Sequence, residues 1–413
     1  MYNIINAIKN VIKTQGDIFV SNIIYTSKNN FFLKASNSVS EYPALRIKQY
    51  AENVRSIQQK RKWKTSGDGA KFMGTNEYHD PNEENYGTSI NGVAVFGDKI
   101  VYSVSTGDVS GLYIKTLDKN GTEGLVHSSN NMCIQRISVH GDKCAASMGD
   151  LNERHISVFN LNSSDYKTLT DGDVLEDYPS YSPDGKKLFY SCAGLAISPQ
   201  GFVLDTAPFG INCYYEHSNS IEAIFFTEDH DCILPKEDAN GNLYFIKRPY
   251  KGTEQDKSLF FDLLLFPVRI IRTIFGLLNF FSIAFGGESL RSGRNTASDI
   301  RSKQKNKQEL FFEGNMINAE QALKKNRKSG EKFPGIIPSA WELVCLDKSG
   351  RLKTVKKGVM DYALCDNGDI LYSNGHAIIR SGAGKSEELV EKCHLASNIT
   401  PFVAKAFAVP AEI

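Results

Sequence analysis

A chain of 413 residues has room for several ordinary domains or for one large repeat architecture. Hydrophobic residues at 41% and charged residues at 23% match globular proteins, which excludes wholesale disorder and leaves enough apolar material for a sizeable core. The 48 Lys and Arg nearly cancel the 47 Asp and Glu, so no global field draws the chain to nucleic acid or to acidic substrates.

Near the start, Ile4, Ile5, Ile8, Val11 and Ile12 recur at helical spacing and predict a short amphipathic helix. The same stretch has no basic leader and no small-residue cleavage site, so it is not read as a secretory signal. Residues 17–48 read as a hairpin or a blade. Residues 49–88 combine a helix (QYAENVRSIQQKRKWK), a Gly-rich stretch and an acidic loop (EYHDPNEENYG). The eight cysteines (133, 144, 192, 213, 232, 345, 365 and 393) form no CxxC pair. They read as small buried hydrophobes in a reducing compartment, which makes the expected location cytoplasmic.

One pattern then recurs: a turn containing Gly with Asp or Asn, followed by a short apolar run that ends in small or polar residues. It appears as Gly97-Asp98-Lys99 before IVYSVS, Gly141-Asp142-Lys143 before CAASMG and Pro183-Asp184-Gly185 before KKLFYSCAG. It returns as Asn240-Gly241-Asn242 before LYFIKR and as Asn367-Gly368-Asp369 before ILYSNG. Asn, Asp and Gly accept the positive φ of tight hairpins, and the flanking aromatic and β-branched residues suit a pleated surface. A second hairpin follows, as in residues 112–126, 155–170 and 341–358, so each unit has four strands and matches one propeller blade.

The spacing agrees. Gly97 and Gly141 lie 44 residues apart, the period of a four-stranded blade. Gly241 and Gly368 lie 127 apart, and the interval falls to 41 when residues 252–337 are set aside. Those residues are therefore an insertion between the second and third strands of one blade, with LYFIKRPY and WELVCLD flanking it.

The run Tyr178-Pro179-Ser180-Tyr181-Ser182-Pro183-Asp184-Gly185, with its apolar strand to Tyr190, resembles the repeat signature of TolB-type propellers. The other blades keep only the turn and the following strand. The resemblance spans residues 89–398 without the insertion, and it implies a propeller fold. Because such propellers are mostly protein-binding platforms, it implies protein partners rather than a reaction. Six or seven blades are expected, with ITPFVAKAFAV as a strand closing the ring against the N-terminal blade.

Within the insertion, residues 259–285 read LFFDLLLFPVRIIRTIFGLLNFFSIAF. On a helix, Asp262, Arg269, Thr273 and Gly276 share a narrow arc opposite Leu263, Ile270, Ile274, Leu277, Leu278, Phe281 and Phe285. Two central arginines oppose a membrane span, at about 2.5–3.5 kcal/mol each. A single crossing would also separate two strands that must pair. An amphipathic helix lying in the interface meets both constraints. Residues 288–332 carry 11 Lys or Arg against 6 Asp or Glu, which favours an anionic membrane surface. The expected contacts with lipid or a partner are Leu263, Phe266, Ile270, Phe275, Phe280 and Phe281, with Arg269, Arg272, Arg291 and Arg294 meeting headgroups. The same helix is compatible with packing on a partner protein, a second copy or its own propeller. Residues 318–328 predict one short helix, and 333–338 an extended return to the blade.

Gly382-Ala383-Gly384-Lys385-Ser386 lacks the first glycine of a phosphate loop and reads as a hairpin turn. Asp171, Asp173, Glu176 and Asp177 read as a solvated acidic loop, with a cation site as the lesser alternative. Lys60-Arg61-Lys62-Trp63-Lys64 reads as a solvated helix end rather than a phosphate contact. No HExxH, no Cys/His ligand spacing and no GxSxG motif occurs, so no catalytic, cofactor or metal residue is assigned.

The sequence thus points to an all-β propeller of six or seven four-stranded blades, with a long helical insertion inside one blade. Its parts are 1–251, 252–337 and 338–413. The expected function is a non-catalytic interaction platform held at the cytoplasmic membrane surface by the inserted helix, without cofactors and with nucleic acid disfavoured. Two alternatives stay open: a soluble scaffold whose insertion mediates self-association or partner binding, and a ligand-binding or hydrolytic propeller using its central channel.

Overall fold

Each of the five glycine turns closes a hairpin in the computed structural model, and each turn glycine has positive φ, from +60° at Gly97 to +81° at Gly368. An L side chain there would meet its own backbone, which is why the turns are written with Gly beside Asp or Asn. The structure describes residues 22–35, 38–65, 88–107, 109–116, 122–130, 132–150, 153–163, 165–198, 203–250, 309–312, 315–382, 384 and 386–402.

The chain begins with β1 (Asn22–Ser27), β2 (Asn30–Ala35), β3 (Ser38–Pro43) and helix α1 (Leu45–Thr65). Next come β4 (Thr88–Phe96), β5 (Lys99–Thr106), β6 (Val109–Thr116) and β7 (Glu123–Asn130). They are followed by β8 (Cys133–His140), β9 (Lys143–Gly149), β10 (Arg154–Asn160) and β11 (Tyr166–Thr168). Then come β12 (Val174–Tyr181), β13 (Lys187–Ile197), β14 (Val203–Thr206), β15 (Gly210–Tyr215) and β16 (Ser220–Phe225). After β17 (His230–Glu237) and β18 (Leu243–Pro249) lie β19 (Glu309–Phe312), β20 (Asn315–Asn318) and helix α2 (Ala319–Lys328). The last strands are β21 (Glu342–Leu346), β22 (Leu352–Lys357), β23 (Asp361–Leu364), β24 (Ile370–Ser373), β25 (Ala377–Ser381), β26 (Glu388–Lys392) and β27 (Ser397–Phe402).

Two compact units form. One comprises the described residues of Met1–Tyr50, Tyr86–Tyr250 and Gln321–Ile413, and the other those of Ala51–Asn85 and Lys251–Glu320. The second contains most of α1 and the antiparallel hairpin β19–β20. The first unit holds every other strand.

In the first unit, four sheets are four-stranded: β27-β1-β2-β3, β4-β5-β6-β7, β17-β18-β21-β22 and β23-β24-β25-β26. A nine-stranded sheet holds two antiparallel ladders, β8-β9-β10-β11 and β12-β13-β15-β16, with β14 added beside β13. One parallel residue pair, Arg154 with Leu175, joins the two ladders. The first strands of successive sheets lie side by side: β27 beside β4, β4 beside β8, β8 beside β12, β12 beside β17 and β23 beside β27. The remaining junction is held by the Tyr362 hydroxyl, which donates to the Leu234 carbonyl at 2.7 Å. The sheets therefore form a ring of blades. It is closed as predicted by the C-terminal strand β27 pairing antiparallel with β1, Ile23 opposite Pro401 and Ile24 opposite Thr400.

Burial follows rank within a blade. The second strands β5, β9 and β24 and the first half of β13 are almost continuously buried, whereas the outer strands β3, β11 and β22 are mostly exposed. A strand flanked by neighbours on both edges and by sheets on both faces cannot alternate apolar with polar. This explains why IVYSVS and LFYSCA read as unbroken apolar runs. Their small polar residues have a specific use. Ser103, Ser147 and Ser191, each fully buried and each six residues after its turn glycine, donate to a backbone carbonyl of the next blade. Ser103 reaches Gln135 at 2.9 Å, Ser191 reaches Cys232 at 2.9 Å, and Ser147 reaches Glu176. A hydroxyl at that site satisfies an acceptor that the ladder leaves over, and its small size lets the sheets approach.

The sheet that carries the insertion is continuous across it. β18 pairs with β21 antiparallel, Leu243 opposite Leu346, Phe245 opposite Val344 and Lys247 opposite Glu342. Helix α2 matches the short helix predicted over 318–328. Within it, Asn326 donates through Nδ2 to the carbonyls of Gly335 and Ile337, both at 2.9 Å, and beyond it Ile336 N donates to Asn374 O at 3.0 Å. The chain returning to β21 is thereby fastened to the blade of β23–β26. Strands β25 and β26 pair antiparallel, so the glycine run between them joins two strands of a hairpin and not a strand to a helix. The predicted helix over 259–285 and the N-terminal helix lie outside the described residues.

Candidate functional site

The first strand of a propeller blade faces the axis, and in this chain that strand is repeatedly interrupted. β4, β8, β12 and β17 each break register once against the next strand: between Ile90 and Gly92, Ile134 and Ile137, Asp177 and Ser180, and Ile233 and Lys236. Such bulges re-aim side chains by inserting an unpaired residue. Two of them place a non-glycine residue at positive φ just before a proline, Tyr178 at +58° and Leu234 at +56°. Asn398 in β27 is similar at +54°. Left-handed backbone at a bulky residue costs about 1–3 kcal/mol, and such strain clusters where a chain positions functional groups.

The bulges border a cavity of about 310 Å³, lined by Val93–Val95, Arg136–Val139, Tyr178–Ser180, Leu234–Glu237, Asp361 and Asn398–Pro401. These residues come from β4, β8, β12, β17, β23 and β27, so the cavity lies where the first strands converge.

Its charges are arranged unequally. Asp361 is almost fully buried, and both oxygens are occupied by backbone donors: Tyr362 N to Oδ1 at 2.6 Å and Asn398 N to Oδ2 at 2.6 Å. Glu237 is paired with Lys187. Arg136 donates from Nη1 to Asn398 Oδ1 at 2.7 Å, lies 3.9 Å from Asp361 Oδ2, and stands 5.6 Å from the Tyr178 ring centroid. Lys236 donates to the Tyr362 carbonyl and sits 4.9 Å from the centroid of that ring. Burial pushes the Lys236 amine below the usual lysine range, and the Arg136 cation adds to this while Asp361 opposes it. The arrangement can hold charge and hydrogen bonds. It contains no nucleophile beside a base, and among the described residues no group of three His, Cys, Asp or Glu side chains is placed to hold a metal ion.

The acidic group expected as a solvated loop is only half that. Asp171 and Asp173 are exposed, but Glu176 and Asp177 are buried in β12. Glu176 accepts from the Thr170 hydroxyl and from Ile156 N at 3.3 Å, and burial pushes its carboxyl above the usual range. Asp177 accepts from Arg154 Nη2 at 3.3 Å and from Tyr178 N at 2.9 Å. Both carboxylates tie neighbouring strands together. The sequence misplaced them because the strand boundary lies ahead of the Tyr-Pro signature, not within it.

The residues expected to meet lipid or a partner, Leu263, Phe266, Arg269, Ile270, Arg272, Phe275, Phe280, Phe281, Arg291 and Arg294, lie outside the described residues. Sequence reasoning missed Arg136 and Lys236. One signal was available: each stands five residues before its turn glycine, where the other blades have Gly92, Ser180 and Ala363.

The fold is a β-propeller. It is similar to TolB from Acinetobacter baumannii, with a TM-score of 0.48 and 12% identity over 92% of this chain and 66% of that one. It is also similar to the tricorn protease, with a TM-score of 0.43 and 13% identity over 92% of this chain and 34% of that one. A structure from a study of two prolyl endopeptidases gives a TM-score of 0.36 at 12% identity, covering 74% and 43%. The chain therefore spans about two thirds of the TolB chain and about one third of the tricorn chain. No family model and no curated protein matches the sequence. The ladders and ring closure carry the fold without these likenesses, and none of them bears on chemistry.

Proposed function

We propose that this protein is a non-catalytic interaction platform, a propeller of six blades whose inserted segment 252–337 is its contact element. The observation that carries the reading is the residue-by-residue pairing of β18 with β21 across the intervening chain. A ladder that closes over so long an excursion does not need residues 252–308 to form, and we read their Phe- and Leu-rich sequence as serving something outside the sheet, whereas α2 and the returning chain are fastened to the blade. The contact proposed is an amphipathic helix over 259–285 meeting an anionic cytoplasmic membrane surface, with a partner protein as the rival occupant. All eight cysteines are free, which supports a reducing compartment. Among the described residues no helix is long and apolar enough to cross a membrane.

Removal of residues 256–306 spares α2 and its fastening to the blade, and the product should fold with an unchanged sheet content. Wild type should pellet with vesicles containing phosphatidylserine, while the deletion and the Phe275→Asp, Phe281→Asp double variant stay in solution. Equal pelleting of all three would remove the membrane reading. Size measurement of the same proteins checks the self-association alternative: a change of oligomeric state confined to the deletion would favour it.

A further inference from the structure

We infer that the wedge between the blade of β8–β11 and the blade of β12–β16 is a binding pocket for a small neutral aromatic molecule. The inference is independent of the inserted segment, since every residue it uses belongs to the blades.

A cavity of about 390 Å³ lies there beside the Gly185 turn, among Val158 of β10, Leu169, Tyr181 of β12, Leu188 of β13 and Tyr214 of β15. These side chains pack in one apolar cluster with Ile156 and Tyr190. Blades radiate from an axis, so the gap between neighbours widens outward and takes larger side chains to fill. At three other junctions, rings from adjacent blades meet in that gap. Phe31 of β2 and Tyr102 of β5 have centroids 4.8 Å apart, His127 of β7 and Phe159 of β10 are 5.2 Å apart, and Phe225 of β16 and Phe245 of β18 are 5.0 Å apart. In this wedge β10 presents Val158 and β13 presents Leu188, two aliphatic side chains where the other junctions have a ring pair. The space left over has an apolar floor and two tyrosine walls, which an aromatic ring fills as the protein's own rings do elsewhere.

The lining also limits what fits. A cavity of about 390 Å³ is at the small end for organic ligands, which suits one or two rings. Its charges are already balanced: Lys143 is paired with Glu216 across the two blades, and Lys187 with Glu237. Asp165 and Lys167, of opposite sign, stand two residues apart, so no net field at the mouth selects an ion. The Tyr214 hydroxyl is engaged, donating to Asn219 Oδ1 at 2.8 Å. The Tyr181 hydroxyl makes no hydrogen bond to another described residue. Burial pushes that phenol above its ordinary value, so it stays protonated and can donate to a polar atom on the ring.

The test is calorimetric titration of wild type, Val158→Phe and the exposed-site control Val355→Phe. The probes are indole and p-cresol, with cyclohexanol as a saturated ring of similar size. The expected result is saturable one-to-one binding of at least one aromatic probe to wild type and the control, with cyclohexanol weaker. In Val158→Phe the added phenyl group takes up the space, and affinity should fall by about tenfold or more. No saturable binding of either aromatic probe, cyclohexanol binding as tightly as both, or wild-type affinity in Val158→Phe would overturn the inference. Should Val158→Phe not fold, wild-type crystals soaked in 4-iodophenol give the same decision: an anomalous iodine peak between Val158 and Leu188 supports the site, and peaks confined to other places overturn it.

Discussion

The serines that step from blade to blade offer the sharpest test of how this ring is held. Ser103, Ser147 and Ser191 are fully buried, and each hydroxyl satisfies a carbonyl on the neighbouring first strand. Replacing one with Ala removes a net contribution of about 0.5–1.5 kcal/mol and leaves a buried acceptor without that partner, which can bring the cost to about 2 kcal/mol. The three sites are in different blade junctions and share no partner, so their effects should add, giving about 1.5–6 kcal/mol for the triple variant. A ring of roughly 300 residues melts with an entropy of about 0.6 kcal/mol/K, so each single substitution should lower Tm by about 1–3 °C and the triple by about 3–9 °C. Differential scanning calorimetry of the singles, the triple and Ser218→Ala, an exposed control, measures this directly. A triple variant melting within about 1 °C of the control would show that the carbonyls find other donors and that these serines are retained only for their size.

Further outcomes follow from the ring and its axis. Asp361→Ala should destabilise by about 2–5 kcal/mol in urea unfolding, because two buried backbone N–H groups lose their acceptor; Asp361→Asn should recover part of the loss. Gly92→Ala should cost about 1–3 kcal/mol by the same assay, since a Cβ there would stand 2.7 Å from Ile137 N in the adjacent first strand. Glu176 predicts a pH effect of defined sign. Burial raises its folded-state value above the ordinary 4.5, with Asp171 adding and Thr170, Ile156 N and His155 opposing. The protonated form therefore contributes stability below the ordinary value, and that contribution is lost as pH rises through the folded value. Glu176→Gln lacks this titration, so its Tm relative to wild type should improve between pH 4 and pH 7; a constant difference across that range would contradict the assignment.

Much of this architecture is legible in the chain before any coordinates. The turn glycines fix hairpins because only a few residue types accept the backbone they require. A period of 44 residues then fixes the blade, since four short strands and their turns have a set length. Even the pairing of β18 with β21 followed from the interval between Gly241 and Gly368 once residues 252–337 were set aside. Burial of Glu176 and Asp177 was not legible. Acidic residues beside Gly and Asp look solvated in sequence, and only the blade junction supplies Thr170, Ile156 N and Arg154 as partners.

The sequence by itself therefore determined the local repeat: turns, strands, their order and the strand that closes the circle, all set by steric rules acting within a few residues. Tertiary structure alone decided what meets at the axis. Arg136, Lys236 and Asp361 are about a hundred residues or more apart along the chain, and no periodic rule says that the places of Arg136 and Lys236, held by small residues in other blades, carry a cation here. They converge because closing the ring carries each first strand to a common centre, where bulges in β8 and β17 interrupt the ladder at Arg136 and beside Lys236.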